Sequence, residues 1–178
     1  MHNTNHSNHH DHSEHANHSG TKALRVKIPG FHNLTLEHAV FDYNGTLAIE
    51  GILIEGVAPL LNALAKHLQV HVLTGDTFGK ARQELAGIDC HVTIIPAENQ
   101  GAAKASYMKQ LHPSEVIAIG NGRNDRDMLN EAKVGIIVLG EEGAATESMM
   151  AADLVVPNIF SAFALLHDTR KLSATLRS

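Results

Sequence analysis

The chain predicts a three-layer α/β/α sandwich on a central parallel sheet, a Rossmann-like class of fold. Three observations predict it. Short apolar runs rich in Val and Ile fall at 39–41, 70–73, 91–95, 116–119, 134–139 and 154–156. From 57 onward they alternate with helix-length segments, the pattern of a sheet covered by helices on both faces. Polar clusters follow three of the runs, at the carboxyl ends where open α/β sheets gather their reactive groups. Right-handed crossovers then reduce the topology to a doubly wound sheet.

A length of 178 residues suits one well-buried domain, placed at 21–178, and the 43% hydrophobic content is that of a globular chain. Aromatic residues make up 4% and Trp is absent, so the core must be built from Ala, Val, Ile and Leu. A formal net charge of −5 excludes a general attraction to nucleic acid or to anionic membrane. No apolar run approaches the ~18–20 residues that span a bilayer, so no membrane insertion is predicted. The lone Cys90 makes no internal disulfide and the polar N-terminus is no secretory signal, which together predict a cytoplasmic setting.

Residues 1–20 are a His, Asn and Ser tract holding seven of the fourteen histidines. It lacks the apolar surface to fold and is predicted to be disordered. It reads either as an expression tag or as a native tail that collects Zn²⁺, Ni²⁺ or Cu²⁺, all of which imidazole binds. Leu24, Val26 and Ile28, then Leu34 and Leu36, alternate with polar residues around Pro29-Gly30, which predicts a small N-terminal β-hairpin. Val40-Phe41-Asp42 is the next strand, turned sharply by Asn44-Gly45-Thr46. A second small hairpin covers 49–56. A helix over 57–68 follows, with Pro59 tolerated in its first turn. Further helices are predicted at 78–85, 100–111, 127–132, 144–151 and 159–166, each between two of the strands or after the last.

Three strand ends carry polar clusters: Asp42-Tyr43-Asn44-Gly45-Thr46, Thr74-Gly75-Asp76, and Gly120-Asn121-Gly122-Arg123-Asn124-Asp125, with Lys104 on a helix between the last two. An Asp at the first position serves as nucleophile, metal ligand or both, or else simply caps the turn. Other motifs fail on spacing. Gly75 to Lys80 is one residue short of a P-loop and continues with Ala81 where Ser or Thr is required. Gly120-Asn121-Gly122 places Asp125 at the third glycine position of a dinucleotide loop, where it would repel a pyrophosphate. His32, His38, His67, His71, His91, His112 and His167 show no zinc-protease spacing and read as surface or packing residues.

In this order, the three clusters and Lys104 resemble the haloacid dehalogenase-like superfamily of phosphohydrolases, and most closely the phosphorylation domain of P-type ATPases and its soluble relatives. The resemblance covers about 39–156. It implies that Asp42 is a nucleophile forming an aspartyl-phosphate and that the Asn44 carbonyl ligates Mg²⁺ beside it. It further implies that Thr74 and Gly75 bind phosphate, that Lys104 neutralises charge, and that Asp125, with Asn121 or Asn124, completes the magnesium shell. Gly45 and Thr46 support the turn. In such a fold the Asp42 strand lies centrally, between the Ile117 and Val72 strands.

Two positions depart from the family. Many of its phosphatases carry an Asp two residues after the nucleophile as general acid and base; here Asn44 stands there. Asn121 likewise replaces a common Asp and removes one negative charge from the metal site. About thirty residues separate Asp42 from Thr74, and again Thr74 from Lys104, too few for a cap domain or for the nucleotide-binding domain of the pumps. The reading is therefore a capless, Mg²⁺-dependent phosphohydrolase acting on a small phosphorylated molecule. The 49–55 hairpin serves as a flap and a neighbouring subunit of a homo-oligomer supplies further cover. The competing readings are a regulatory module that keeps the fold but binds without turnover, and a transition-metal-handling protein that works with a membrane partner.

Overall fold

The computed structural model describes residues 22–178; the His-rich tract lies outside the described residues. Strands β1 (Leu24–Val26) and β2 (Leu34–Leu36) pair antiparallel as the N-terminal hairpin. They are followed by β3 (His38–Asp42) and a second antiparallel pair, β4 (Ala48–Ile49) with β5 (Ile52–Leu53). The alternating part then runs α1 (Val57–Leu64), β6 (Gln69–Thr74), α2 (Ala81–Glu84), β7 (His91–Ile94), α3 (Gln100–Gln110), β8 (Val116–Gly120), α4 (Arg126–Glu131), β9 (Val134–Val138), α5 (Thr146–Ala151), β10 (Leu154–Val156), α6 (Ile159–His167) and α7 (Thr169–Leu176). Six strands form one parallel sheet in the order β10-β9-β8-β3-β6-β7, so β3 is central with β8 and β6 as neighbours. No helix among the described residues is long and apolar enough to cross a membrane.

Side chains alternate across the sheet, as the pleat requires. Ala39 and Phe41 join a core with Leu61, Phe163, Leu166 and Leu172, which belong to α1, α6 and α7, and Phe41 stacks on Phe163 with ring centroids 5.6 Å apart. Val40, Leu73, Ala118 and Ile137 point the other way, into a core with Met108, Met128 and Leu129 from α3 and α4. The three layers follow from these two faces.

Several boundaries differ from the sequence reading, each for a local reason. The helix expected at 78–85 shrinks to α2, because Asp76 adopts a positive φ of 46° and its carboxylate accepts the amide N–H groups of Lys80 and Ala81. The chain must complete that turn before a helix starts. The helix expected at 57–68 ends at Leu64 and unwinds through single turns to Leu68. Helix α7 has no counterpart in the sequence reading. It has one fully buried residue, Leu172, and is held by the Asp168 cap and by Ser173 Oγ donating to the Lys27 carbonyl across 2.9 Å.

At the amino edge of the sheet His38, His71 and Tyr107 form a chain: His38 Nδ1 and His71 Nε2 are 3.0 Å apart, and His71 Nδ1 lies 2.9 Å from the Tyr107 hydroxyl. Burial, with the neighbouring His38 and His91, pushes the His71 imidazole down to about 4. A histidine depressed in the folded state contributes stability that is present above its unfolded value of 6.5 and lost as pH falls through 4. Urea unfolding of wild type and His71→Leu at pH 4, 5.5 and 7 is expected to show their stability difference widening by up to about 3 kcal/mol as pH rises across that window. A difference independent of pH would show that His71 titrates normally.

Candidate active site

Asp42 closes β3 at the carboxyl edge of the sheet, between the ends of β6 and β8. Its carboxylate is held from two sides. Lys104 Nζ, fully buried on α3, donates to Asp42 Oδ1 at 2.5 Å and to Asp125 Oδ1 at 2.6 Å. Thr46 Oγ lies 3.3 Å from Asp42 Oδ2 and 3.4 Å from Asn121 Oδ1. Thr46 reaches back because the turn after Asp42 folds tightly: the amide N–H groups of Thr46, Leu47 and Ala48 all donate to the Tyr43 carbonyl.

Thr74 ends β6, and its Oγ accepts the Asp76 N–H at 2.9 Å, which leaves the hydroxyl proton to donate into the cleft. The cleft has a volume of about 260 Å³ and is walled by Asp42, Asn44, Thr74, Gly75, Thr77, Gln100, Asn121, Gly122, Asn124 and Glu142. The three strand-end clusters therefore meet in one place. A larger cleft of about 440 Å³ lies elsewhere, walled by Leu60, Leu64, Phe163 and Leu166 with no carboxylate among its lining residues.

The electrostatics follow from two carboxylates sharing one buried ammonium. Burial and the nearby Asp125 push the Asp42 carboxyl up to about 7, against the pull of Lys104. Burial alone would lower the Lys104 ammonium, but Asp42 and Asp125 outweigh it and raise it, so the lysine stays charged.

Asp125 is committed elsewhere than the cleft. Besides Lys104, its carboxylate accepts the N–H groups of Asn121 at 3.0 Å and Gly122 at 2.9 Å, and it is fully buried. It holds the lysine and folds the 120–125 loop, while Asn121 is the member of that loop whose side-chain oxygen shares the Thr46 hydroxyl with Asp42. Asn121 is oriented by its Nδ2, which donates to the Gly143 carbonyl at 3.3 Å. The loop is further pinned by the buried Ser148 Oγ on the Gly122 carbonyl at 2.7 Å. Asn124 forms the rim, its Nδ2 donating to Gln100 Oε1 at 2.8 Å. Asn44 Oδ1 accepts the Gly51 N–H at 3.0 Å, tying the strand-end turn to the tip of the β4–β5 flap. Phe78 packs under that tip: a Cβ on Gly51 would come within 2.7 Å of Phe78 Cβ.

Gly45 opens the space beside Asp42. A Cβ there would collide with Asn121 Nδ2, come within 2.6 Å of Glu142 Oε2 and push both side chains aside, and the φ of +83° favours glycine in any case. Glu142, Gln100 and Thr77 line the cleft without having been singled out by the sequence reading. A signal for Glu142 exists, since Glu141-Glu142 follows β9 as the other clusters follow their strands.

The family profile of haloacid dehalogenase-like hydrolases matches residues 81–158. An uncharacterized protein of Methanocaldococcus jannaschii is 37% identical over 90 residues, 47% of this chain and 97% of that protein. A probable copper-exporting P-type ATPase of Archaeoglobus fulgidus is 30% identical over 106 residues, 58% of this chain but 13% of the pump. Among solved structures, the 3-deoxy-D-manno-octulosonate 8-phosphate phosphatase of Moraxella catarrhalis, in complex with magnesium, phosphate and the sugar acid, superposes with a TM-score of 0.59 at 16% identity, covering 80% of this chain and 94% of that one. At that identity the likeness concerns the fold.

Proposed function

Since the chain belongs to the haloacid dehalogenase-like hydrolase superfamily, we propose that it is a capless phosphatase that cleaves a small phosphorylated molecule through a phosphoenzyme at Asp42. The observation that carries this reading is the Lys104 ammonium held between Asp42 and Asp125 at the meeting point of the three strand-end clusters. An Asp42 oxygen attacks phosphorus as the bond to the leaving oxygen breaks, and water then hydrolyses the aspartyl-phosphate to release phosphate and regenerate the carboxylate. The Thr74 hydroxyl and the Gly75 backbone hold the transferred phosphoryl oxygens, and Lys104 balances their charge. Phosphoryl transfer requires little more than such positioning and charge neutralisation.

The donor set suits Mg²⁺. All candidate ligands are hard oxygens. Burial, and after it the nearby Asp125, raises the Asp42 carboxyl against the pull of Lys104. Asp42, the Asn44 carbonyl and Asn121 would hold the ion, with Glu142 supplying the charge that Asn121 lacks; when bound, Mg²⁺ adds Lewis-acid stabilisation of the phosphoryl oxygens. Exposed Ile52, Phe78 and Phe160 flank the flap and are the surface a second subunit would cover.

Asn44 is acid–base inert and spends its side-chain oxygen on the flap. Asn44→Asp keeps that acceptor and adds a proton-transferring group, an effect worth ~10²-fold or more in phosphoenzyme hydrolysis. Steady-state turnover of p-nitrophenyl phosphate with Mg²⁺ is expected to be slow in wild type and to rise in this variant. No turnover by either protein, with Mg²⁺ bound, would instead favour the regulatory reading.

A further inference from the structure

The edge of the sheet opposite Asp42 carries a second constellation that the phosphatase reading does not use. Glu37 directly precedes β3, His38 begins it, and Glu115 directly precedes β8. The Glu37 amide donates to the Glu115 carbonyl at 2.8 Å and the Gln69 amide to the Glu37 carbonyl at 2.8 Å, so the backbone fixes both acidic residues beside His38. Carboxylate oxygens of Glu37 and Glu115 and a ring nitrogen of His38 all lie within 4.8 Å of one another. Yet among the described residues none of these three side chains pairs with another of the three or with a lysine or arginine. His38 is only 9% exposed.

The imidazole is also held as a ligand would be. Its Nδ1 is bonded to His71 Nε2, and His71 Nδ1 to the Tyr107 hydroxyl, which among the described residues leaves His38 Nε2 without a partner. If Nδ1 carries the proton, Nε2 presents a lone pair. This is the outer-sphere arrangement that orients metal-bound histidines and raises their basicity.

We propose that Glu37, His38 and Glu115 form a site for a divalent transition metal, with one coordination position open to water or to an outside ligand. Two carboxylates and an imidazole suit Zn²⁺ or Co²⁺ rather than Mg²⁺, which takes oxygen ligands almost exclusively. A tetrahedral zinc site holds its donor atoms roughly 3.4 Å apart, so closure requires shifts of about 1 Å or less. Asp42 lies four positions after His38, ~13 Å along β3, too far for the two sites to share an ion. The sequence pattern hides this site because its members lie at the starts of two strands far apart in the chain, which only the parallel pairing of β3 and β8 brings together.

The test uses the full-length chain with His2, His6, His9, His10, His12, His15 and His18 replaced by Asn, which removes competing imidazoles. Co²⁺ is titrated in saturating Mg²⁺ and followed by calorimetry and visible absorption. The expected result is one Co²⁺ per chain with absorption bands of low coordination number. Affinity is expected to fall at least ~10-fold in Glu115→Gln and more in His38→Ala, and to be unchanged in Asp42→Asn. Glu115→Gln keeps the size of the side chain and leaves His38 in place, and its unfolding by urea is expected to match that of wild type. Absence of Co²⁺ binding, binding unaffected by Glu115→Gln, or binding lost in Asp42→Asn would overturn the proposal.

Discussion

Replacing Asp42 by Asn is expected to reduce Mg²⁺-dependent hydrolysis of p-nitrophenyl phosphate to background, a loss of ~10³-fold or more. The amide keeps the shape of the carboxylate but has no anionic oxygen to attack phosphorus. The variant also separates chemistry from folding. Asp42 sits in a site where burial and Asp125 raise its carboxyl to about 7, against an ordinary 3.8. A carboxyl raised in the folded state supplies stability below 3.8 that is lost as pH rises through 7. The Asp42→Asn substitution removes the ionisation, so at pH 8 the inactive variant should unfold at a denaturant concentration equal to or above that of wild type. Trapping with a labelled phosphate donor and acid quench should give a hydroxylamine-labile adduct in wild type and none in the variant. An adduct that survives in Asp42→Asn would place the nucleophile elsewhere.

The sheet and its candidate site are legible in the sequence for the same reason. Val40, Val72 and Ile119 belong to strands buried on both faces, which read as uninterrupted apolar runs. The polar residues that break those runs, Asp42, Thr74 and Asn121, therefore stand out at the ends. Lys104 is different: nothing in its helix distinguishes it from Lys109 by composition, and only the family resemblance singles it out. That resemblance assigns Asp125 to the metal, whereas its carboxylate is occupied by a lysine and two neighbouring amides, partners that a loop sequence does not announce. Gln100 is invisible because it reaches the cleft only after Asn99 takes a positive φ of 56°, a backbone choice the sequence does not advertise. His38 and His71 read as packing residues, and in one sense they are. Their hydrogen bond depends on the β3–β6 register, in which Val40 rather than His38 is the partner of His71, and such diagonal contacts lie beyond sequence periodicity.

Removing the lysine tests whether the site is organised as a charge triad. Lys104→Met keeps the aliphatic stem and deletes the ammonium that Asp42 and Asp125 share. Two carboxylates then face each other without compensation, and breaking a buried pair in this way typically costs about 3–5 kcal/mol. Helix α3 links the two ends of the sheet, since Lys104 reaches Asp42 and Tyr107 reaches His71, so the loss should be felt as lower global stability rather than as local fraying. The sign of the pH dependence follows from the carboxyl. Without Lys104 the Asp42 carboxyl rises beyond 7, so the defect should be small at pH 5, where it holds its proton, and full at pH 8. Turnover at pH 8 should fall ~10²–10³-fold, as when one preorganised donor to the developing charge is removed. The double variant Lys104→Met with Asp42→Asn should recover much of the stability and none of the activity, because Asp125 alone is still satisfied by the Asn121 and Gly122 amides. Additive losses in that cycle would mean that Lys104 and Asp42 act independently. Recovery of stability would show that the Lys104 ammonium and the Asp42 carboxylate are energetically coupled.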